Sequence, residues 1–315
     1  MTPMQRYIAE EIATDHVDGL LSRREALRRL ALLGIGAGAA SALIAACSDK
    51  KAASPTPSAS TGATTSGSAA AAPPPGSEHT LPTAPVNWAG PQGELEGAWA
   101  SADARSNTGD AVDPKGAVLI VHENKGLNDW VRSVAGRFAG SGYSALAIDL
   151  LSPQGGTGSF ADPAAATAAL GKIPAADLVA NLKSGVDELA RLAPGQKLAA
   201  VGFCMGGGLV WQLLAAGEPR LAAAVPFYGP TPANADFSGS KDVAVLGFYG
   251  ALDDRVNATE PVARAALEKA GMVHELVTEP DANHAFFNDT GERYQATAAT
   301  DAWNRVQDWF TKYLS

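Results

Sequence analysis

Along most of the chain, short and mostly apolar runs alternate with longer segments in which apolar residues recur every three or four positions. The short runs predict strands at residues 116–121, 143–149, 197–203, 222–227, 243–249 and 273–278, and the run 116–121 is continuously apolar. The periodic segments cover residues 128–139, 163–170, 175–192, 207–216, 260–270 and 294–313. Continuous apolar runs suit strands that are buried on both faces of a sheet, and the periodic segments are typical of amphipathic helices. The pattern therefore predicts an α/β fold in which helices cover both faces of a mostly parallel sheet.

The composition of the chain changes before this pattern begins. Residues 48–85 are rich in Ala, Ser, Thr, Pro and Gly and contain almost no large apolar side chains. Such a segment cannot bury a core, so we expect it to be a disordered tether. The folded domain is predicted to span residues 86–315 and to open with an edge hairpin formed by residues 86–88 and 94–100.

The first 47 residues have the features of a targeting segment. Arg23 and Arg24 precede a weakly hydrophobic run, residues 31–46, that is shorter than the roughly 20 residues of a membrane span. The arginine pair resembles a twin-arginine export signal, and the sequence ending at Cys47 resembles a bacterial lipobox, which implies cleavage before Cys47 and lipidation of its thiol. An ordinary amphipathic N-terminal helix is the alternative. We expect an exported lipoprotein, anchored in a membrane and facing the periplasm or the cell exterior.

Charge and residue counts limit the partners of this protein. The formal net charge is −9, and the five arginines of residues 1–47 balance five acidic residues there, so the rest of the chain has the same net charge. A surface of this sign repels nucleic acid. Two cysteines and five scattered histidines provide neither a disulfide framework nor a metal-ligand spacing. We expect a monomer that needs no metal and no other cofactor.

The sequence Gly202-Phe203-Cys204-Met205-Gly206 lies between a predicted strand and a predicted helix. This is the order of a nucleophile elbow, in which a strained turn lifts the nucleophile above the sheet and flanking glycines tolerate the crowding. The backbone N–H of Met205 opens the helix and can point at a developing oxyanion. A buried thiol beside a glycine turn is the alternative interpretation.

Asp253 and His284 each follow a predicted strand, as Cys204 does. The carboxyl ends of parallel strands line one crevice, so the three side chains can converge there. The order nucleophile, acid, histidine is that of α/β-hydrolases. In this hypothesis Cys204 attacks, His284 transfers the proton, and Asp253 orients the imidazole and stabilises its charged form. Taken singly, Asp253 could be a turn residue and His284 a loop histidine.

With these motifs, residues 86–315 resemble the dienelactone hydrolase family, which includes carboxymethylenebutenolidase. The motifs that carry the resemblance are Gly202-Phe203-Cys204-Met205-Gly206-Gly207, Gly250-Ala251-Leu252-Asp253, His284-Ala285-Phe286 and Glu123. The resemblance implies an α/β-hydrolase fold and an esterase that opens enol-lactones through a Cys-His-Asp triad and an acyl-enzyme.

The resemblance also implies roles for the loop that follows residues 116–121. Glu123 would hold the resting thiol neutral until substrate binds, which is sensible because a carboxylate near a thiol opposes thiolate formation. A solvated loop acid is the alternative for Glu123. The backbone N–H of Asn124 would be the second oxyanion donor. The neighbouring His122 is interpreted as a sheet-end histidine rather than a base, because His284 already matches the base.

One position departs from the family pattern. Where the resemblance implies an arginine that anchors the substrate carboxylate, this sequence has Asn288. A neutral amide cannot form the charge-assisted bidentate pair. Arg293 could substitute, although it could also be a surface residue that leads into the last helix. We therefore expect neutral lactones or esters to be better substrates than carboxylate-bearing ones.

These observations predict a hydrolase that opens a small lactone or ester. Two alternatives stay open: an exported carboxylesterase or thioesterase with a different substrate, and a non-catalytic ligand-binding lipoprotein on a hydrolase scaffold.

Overall fold

A computed structural model describes residues 1–53, 73–105 and 114–314. Eight strands form one sheet in the order β1-β2-β4-β3-β5-β6-β7-β8. Their bounds are β1 Ala84–Gly90, β2 Gly93–Ala100, β3 Gly116–Val121, β4 Tyr143–Asp149, β5 Leu198–Phe203, β6 Leu221–Phe227, β7 Ala244–Gly250 and β8 His274–Glu279. The β1–β2 and β2–β4 pairs are antiparallel, and all other pairs are parallel. The predicted mostly parallel sheet and its edge hairpin are thus present.

Ten α-helices are found in the described part of the chain. They are α1 Pro3–Val17, α2 Arg23–Leu32, α3 Ala37–Ala53, α4 Asp129–Gly140, α5 Pro163–Lys172, α6 Ala175–Leu192, α7 Met205–Ala215, α8 Asp254–Asn257, α9 Glu260–Ala270 and α10 Ala296–Tyr313. Every residue of β3, β4, β5 and β7 is buried, because helices cover the sheet on both faces. The prediction of a helix-covered parallel sheet is therefore confirmed.

The predicted targeting segment forms α1, α2 and most of α3, and these helices pack against the rest of the protein. Helix α1 begins with a capping box, in which the Thr2 hydroxyl accepts from the Gln5 N–H at 3.0 Å and the Gln5 side chain accepts from the Thr2 N–H at 2.8 Å. Its Ile8 and the Leu33 that follows α2 are buried against Gly171 at the end of α5. None of the described helices is both long and apolar enough to cross a membrane. Export and cleavage before Cys47, which lies in α3, stay predictions.

The predicted tether, residues 48–85, lies partly outside the described residues. Its first six residues belong to the end of α3, and residues 54–72 are not described. From residue 73 onward the chain lies on the domain, where Gly76 contacts the indole of Trp303 so closely that an added Cβ would lie 2.5 Å from it. The strand β1 begins at Ala84, so the predicted domain boundary at Val86 falls inside this strand.

One buried carboxyl at the end of β8 makes a testable contribution to stability. Burial and the neighbouring Asp301 carboxylate raise the pKa of Glu279 to about 7. The folded state therefore binds this proton more tightly than the unfolded state, and the free energy of unfolding falls as pH rises from about 4.5 to 7. We expect Glu279→Gln to leave stability unchanged at pH 4.5 and to raise it by about 1–2 kcal/mol at pH 8, less than the full shift implies because solvent screens part of it. Urea unfolding at both pH values measures this, and Glu268→Gln on the exposed side of α9 is the control.

Candidate active site

The turn between β5 and α7 has the geometry of a nucleophile elbow. Cys204 adopts φ 55° and ψ −117°, a positive-φ backbone conformation that residues other than glycine rarely adopt. Gly202 and Gly206 allow the turn, because a Cβ on Gly202 would lie 2.2 Å from the Gly206 carbonyl oxygen and a Cβ on Gly206 would lie 2.3 Å from the Val121 carbonyl oxygen. The Met205 residue begins α7, so its N–H is one of the helix-start donors without an intrahelical acceptor.

Asp253 and His284 form a buried ion pair beside this elbow. The distance between His284 Nδ1 and Asp253 Oδ2 is 2.6 Å. Burial by itself would lower the pKa of His284, but the Asp253 carboxylate outweighs it and the net effect is a raised pKa. Burial by itself would raise the pKa of Asp253, but the attraction to His284 outweighs it and the net effect is a lowered pKa. With Nδ1 donating to Asp253, His284 Nε2 is left as the atom that can exchange a proton, and it has no hydrogen-bond partner among the described residues.

The thiol of Cys204 is buried, and its contacts come from α1. The Tyr7 hydroxyl lies 3.3 Å from Sγ, and the two carboxylate oxygens of Glu11 lie 3.4 and 3.5 Å from it. Burial raises the pKa of the Cys204 thiol well above its usual value, and the negative charges of Glu11 and Glu123 raise it further. The thiol is therefore protonated at neutral pH in this arrangement.

Glu123 lies in the same cluster but has other hydrogen-bond partners. Its Oε2 accepts from the Asn288 amide at 2.8 Å, and its Oε1 accepts from the Tyr228 hydroxyl at 3.4 Å. Burial raises the pKa of Glu123. The sequence-based hypothesis, in which Glu123 keeps the resting thiol neutral, stays a prediction; the charge of Glu123 raises the pKa of the Cys204 thiol, and Glu11 is a second carboxylate that lies in contact with Sγ.

The imidazole of His122 holds the loop after β3 through hydrogen bonds to main-chain groups. Its Nε2 accepts from the Leu150 N–H at 3.1 Å, so Nδ1 has the proton and donates to the Glu123 carbonyl at 2.6 Å. Both ring nitrogens are engaged, which agrees with a sheet-end role. The side chain of Asn124 donates to Glu11 Oε1 at 2.8 Å and so links this loop to α1. The part of Asn124 as an oxyanion donor stays a prediction.

A cavity of about 290 Å³ reaches Cys204 and His284, and Asn288 and Arg293, the two substrate-binding residues considered from the sequence, line it. Each of them is already engaged with protein groups. The amide of Asn288 donates to Glu123 and accepts from Thr290, and the guanidinium of Arg293 pairs with Asp15 and Asp18, both at 2.7 Å.

Four residues of the site were not found from the sequence. Tyr7 and Glu11 come from α1, Arg255 lies with its guanidinium 4.5 Å from the centre of the Tyr7 ring, and the Tyr228 ring stacks edge-on against His284 at 5.2 Å. For Tyr228 a signal existed, because it directly follows the predicted strand that ends at Phe227 and strand ends line the site. Tyr7 and Glu11 lie in the segment that was interpreted as a targeting signal, with an ordinary amphipathic helix as the alternative. The amphipathic pattern does not indicate which surface of the domain such a helix covers.

One set of side chains has the spacing of metal ligands. Glu11, Cys204 and His284 each offer one ligand atom, and these atoms all lie within 4.8 Å of one another. A thiolate, an imidazole and a carboxylate are ligands that zinc accepts. The expectation that the protein needs no metal stays a prediction.

A sheet-end cysteine at an elbow, with an Asp–His pair delivered by the loops after β7 and β8, defines the class of α/β-hydrolases. The sequence profile of the Dienelactone hydrolase family matches residues 103–314. The chain belongs to the dienelactone hydrolase family and is a hydrolase of lactones or esters.

Individual relatives agree with this assignment. The chain is similar to a "Putative carboxymethylenebutenolidase" of Escherichia coli O157:H7, at 34% identity over 64% of this chain and 78% of the relative. A protein of the same name from Saccharolobus solfataricus is 31% identical over 64% of this chain and 90% of the relative. Among solved structures, a "Putative Dienelactone Hydrolase" of Klebsiella pneumoniae superposes with TM-score 0.62 at 30% identity, over 74% of this chain and all of the other. The dienelactone hydrolase-like phosphotriesterase P91, from metagenomic libraries, shares the fold, with TM-score 0.55 at 22% identity over 75% of this chain and all of the other.

Proposed function

We propose that this protein hydrolyses a small ester or lactone through a covalent acyl-enzyme on Cys204. The observation that carries the proposal is the buried 2.6 Å pair between His284 and Asp253 beside a cysteine in a left-handed elbow turn. His284 Nε2 takes the thiol proton as Sγ attacks the carbonyl carbon, and the imidazolium then gives that proton to the leaving alkoxide. Water, deprotonated by the same nitrogen, then attacks the thioester, releases the acid and restores the thiol.

The oxyanion of each tetrahedral intermediate needs donors near the elbow. The N–H of Met205 lies at the start of α7, where the helix dipole favours negative charge. We propose the N–H of Asn124 as the second donor. A helix-start N–H opposite a loop N–H is the usual composition of an oxyanion hole in this fold class.

Rapid mixing with a p-nitrophenyl ester tests the proposed mechanism. An acyl-enzyme predicts a burst of about one nitrophenolate per protein and, after acid quenching, one acyl group on the peptide that contains Cys204. A thioesterase would show the same adduct with a thioester substrate, so comparing the two leaving groups identifies the better substrate. A non-catalytic binding protein would show neither a burst nor an adduct.

The charges around the cavity favour neutral substrates. In the uncleaved chain four carboxylates line the cavity, those of Glu11, Asp15, Glu123 and Glu292, against the cationic side chains of Arg29, Lys125 and Arg293. Two of these cations are already paired, Arg29 with Glu25 and Arg293 with Asp15 and Asp18. A carboxylate-bearing substrate would have to displace these pairs or enter a field of its own sign. We propose that the natural substrate is a neutral ester or lactone.

Comparison of matched lactones measures this preference. We expect the methyl ester of a carboxylate-bearing dienelactone to have a kcat/KM about tenfold higher than that of the free acid at pH 7, which corresponds to about 1.4 kcal/mol of repulsion. High salt should reduce the ratio because it screens the repulsion. A free acid that is turned over faster than its methyl ester would show that a cation, most simply Arg293 released from its two carboxylates, anchors the substrate.

We further propose that the protein is exported and anchored through a lipid on Cys47, a proposal that rests on the motifs of residues 22–47. Metabolic labelling with palmitate should mark the wild-type protein and leave Cys47→Ala unlabelled. Replacing Arg23 and Arg24 together by Lys should block export. Label that persists in Cys47→Ala would overturn the lipobox interpretation.

A further inference from the structure

The N-terminal helix α1 contributes the two side chains nearest to the nucleophile. The Tyr7 hydroxyl is 3.3 Å from Cys204 Sγ, and the Glu11 carboxylate oxygens are 3.4 and 3.5 Å from it. Glu11 is only 8% exposed and Cys204 only 2%. An attacking thiolate must lie about 3–3.5 Å from the substrate carbonyl carbon, which is the space that these two side chains occupy.

Polar contacts attach helix α1 to the rest of the domain near its C-terminal end and in its middle. Near its C-terminal end, the guanidinium of Arg293 joins Asp15 and Asp18 in two 2.7 Å pairs. In its middle, the Asn124 amide donates to Glu11 at 2.8 Å. The Arg255 guanidinium also lies over the Tyr7 ring, where a cation–π attraction holds the ring in place. Helix α1 also buries Ile8 and Ile12, so opening it costs apolar burial as well as these polar contacts, and the closed arrangement is the stable one.

The thiol is consequently paired with α1 rather than with its proposed base. No hydrogen bond joins Sγ to His284 Nε2, and that nitrogen is buried and without a partner in the described part of the chain. A substrate cannot reach Sγ, and His284 cannot take its proton, while the Glu11 carboxylate remains where it is.

We propose that in the uncleaved chain α1 is an intramolecular cap on the active site, in which Glu11 and Tyr7 hydrogen-bond the resting Cys204 thiol and the pairs of Arg293 with Asp15 and Asp18 latch the cap shut. Acylation of Cys204 then requires the latch to open and Glu11 to withdraw. Cleavage before Cys47, which the proposed lipid anchor implies, would remove this cap together with α1, so the experiments below use the full-length chain. The inference rests on the proposed role of Cys204 as nucleophile. In it, Glu11 is a positioning residue that acts through the thiol.

Charged and titratable groups from every neighbouring element face the thiol. They are Tyr7 and Glu11 from α1, Glu123 from the loop after β3, Tyr228 from the loop after β6, Arg255 from α8, and His284 from the loop after β8. Asp253 pairs with His284 and affects the thiol only through it. Of these, Glu11 is the anionic group in contact with Sγ. Its charge can be removed with little change of shape by Glu11→Gln.

The rate of Cys204 alkylation by iodoacetamide as a function of pH separates protonation from access. The midpoint of the profile reports the thiol pKa, and the plateau at high pH reports how often the site is open. We expect Glu11→Gln to move the midpoint down by about one unit, which makes alkylation about tenfold faster at pH 7. Glu10→Gln, one position earlier on the same helix, is the matched control and should leave the profile unchanged. Peptide mapping distinguishes Cys204 from Cys47.

The latch is tested by Arg293→Lys, which keeps the positive charge but cannot bridge two carboxylates as a guanidinium does. We expect a plateau about threefold higher with an unchanged midpoint, because the site opens more often while the charge near the thiol is the same. Faster deuterium exchange of the α1 amides in this variant should accompany the change.

Two results would overturn the cap. One is a midpoint that does not move in Glu11→Gln although the protein melts at the wild-type temperature. The other is a plateau that is the same in Arg293→Lys and wild type, which would make α1 a fixed wall. Because alkylation needs no turnover, these outcomes are independent of the burst experiment, and a failed burst with a responsive profile would reject the proposed hydrolysis while keeping the cap. Prior treatment with EDTA should change nothing; a profile that depends on EDTA would show that a metal bound to Glu11, Cys204 and His284 protects the thiol instead.

Discussion

Replacement of Cys204 by alanine is expected to abolish ester hydrolysis while the protein stays folded. The substitution removes only Sγ, and the elbow already accommodates a side chain at φ 55°. Without a nucleophile no acyl-enzyme forms, so kcat/KM should fall by at least about a thousandfold. Steady-state hydrolysis of a p-nitrophenyl ester and a thermal melt of the same preparation measure the two effects.

Serine at the same position is the informative companion. We expect Cys204→Ser to retain little activity, because an alcohol surrounded by Glu11 and Glu123 is much harder to deprotonate than a thiol. Wild-type turnover by Cys204→Ala would exclude covalent catalysis at this residue. If Cys204→Ala is inactive and also shows no cooperative thermal unfolding, the burst experiment on the wild-type protein is the test of the mechanism.

The second large effect is expected from Gly206→Ala, two residues after Cys204 in the first turn of α7. An added Cβ would lie 2.3 Å from the Val121 carbonyl oxygen and 2.6 Å from that of His122, both of them backbone atoms that cannot rotate away. The end of β3 and the start of α7 must then separate, which we expect to cost about 3 kcal/mol or more of unfolding free energy. We expect kcat/KM to fall by more than the loss of folded protein explains, because the separation also moves Asn124 away from Met205.

Gly158→Ala is the matched control for this substitution. No heavy atom lies within 4 Å of the Cβ that would be added there, and its φ is not in the left-handed region. Urea unfolding should give stabilities of Gly158→Ala and wild type that agree within about 0.5 kcal/mol. A Gly206→Ala protein as stable as this control would show that the elbow can relax, and the packing argument for its glycines would be wrong.

Local patterns in the sequence were sufficient for the sheet and for the elbow. The predicted strands 116–121 and 143–149 coincide with β3 and β4, because a strand buried on both faces is mostly apolar, and the two polar exceptions in β4, Ser144 and Asp149, are hydrogen-bonded. The predicted helix 128–139 is α4, and Asn128, the first residue of the predicted range, caps it by accepting from the Val131 N–H at 3.1 Å. Cys204 and the pair of Asp253 with His284 follow strand ends, and parallel strands bring such positions together whatever the rest of the chain does.

The surroundings of the thiol were decided by the tertiary structure. Glu11 and Tyr7 are 193 and 197 residues from Cys204 in the chain, and their contacts depend on which surface of the domain α1 covers. The period of an amphipathic helix predicts that one face is buried, but it does not indicate the partner of that face. The same holds for Arg293, whose carboxylate partners lie on α1. Sequence alone therefore determined the sheet, the elbow and the order of the chemical groups, because these follow from short-range patterns, whereas the state of the nucleophile follows from long-range packing that only the folded structure shows.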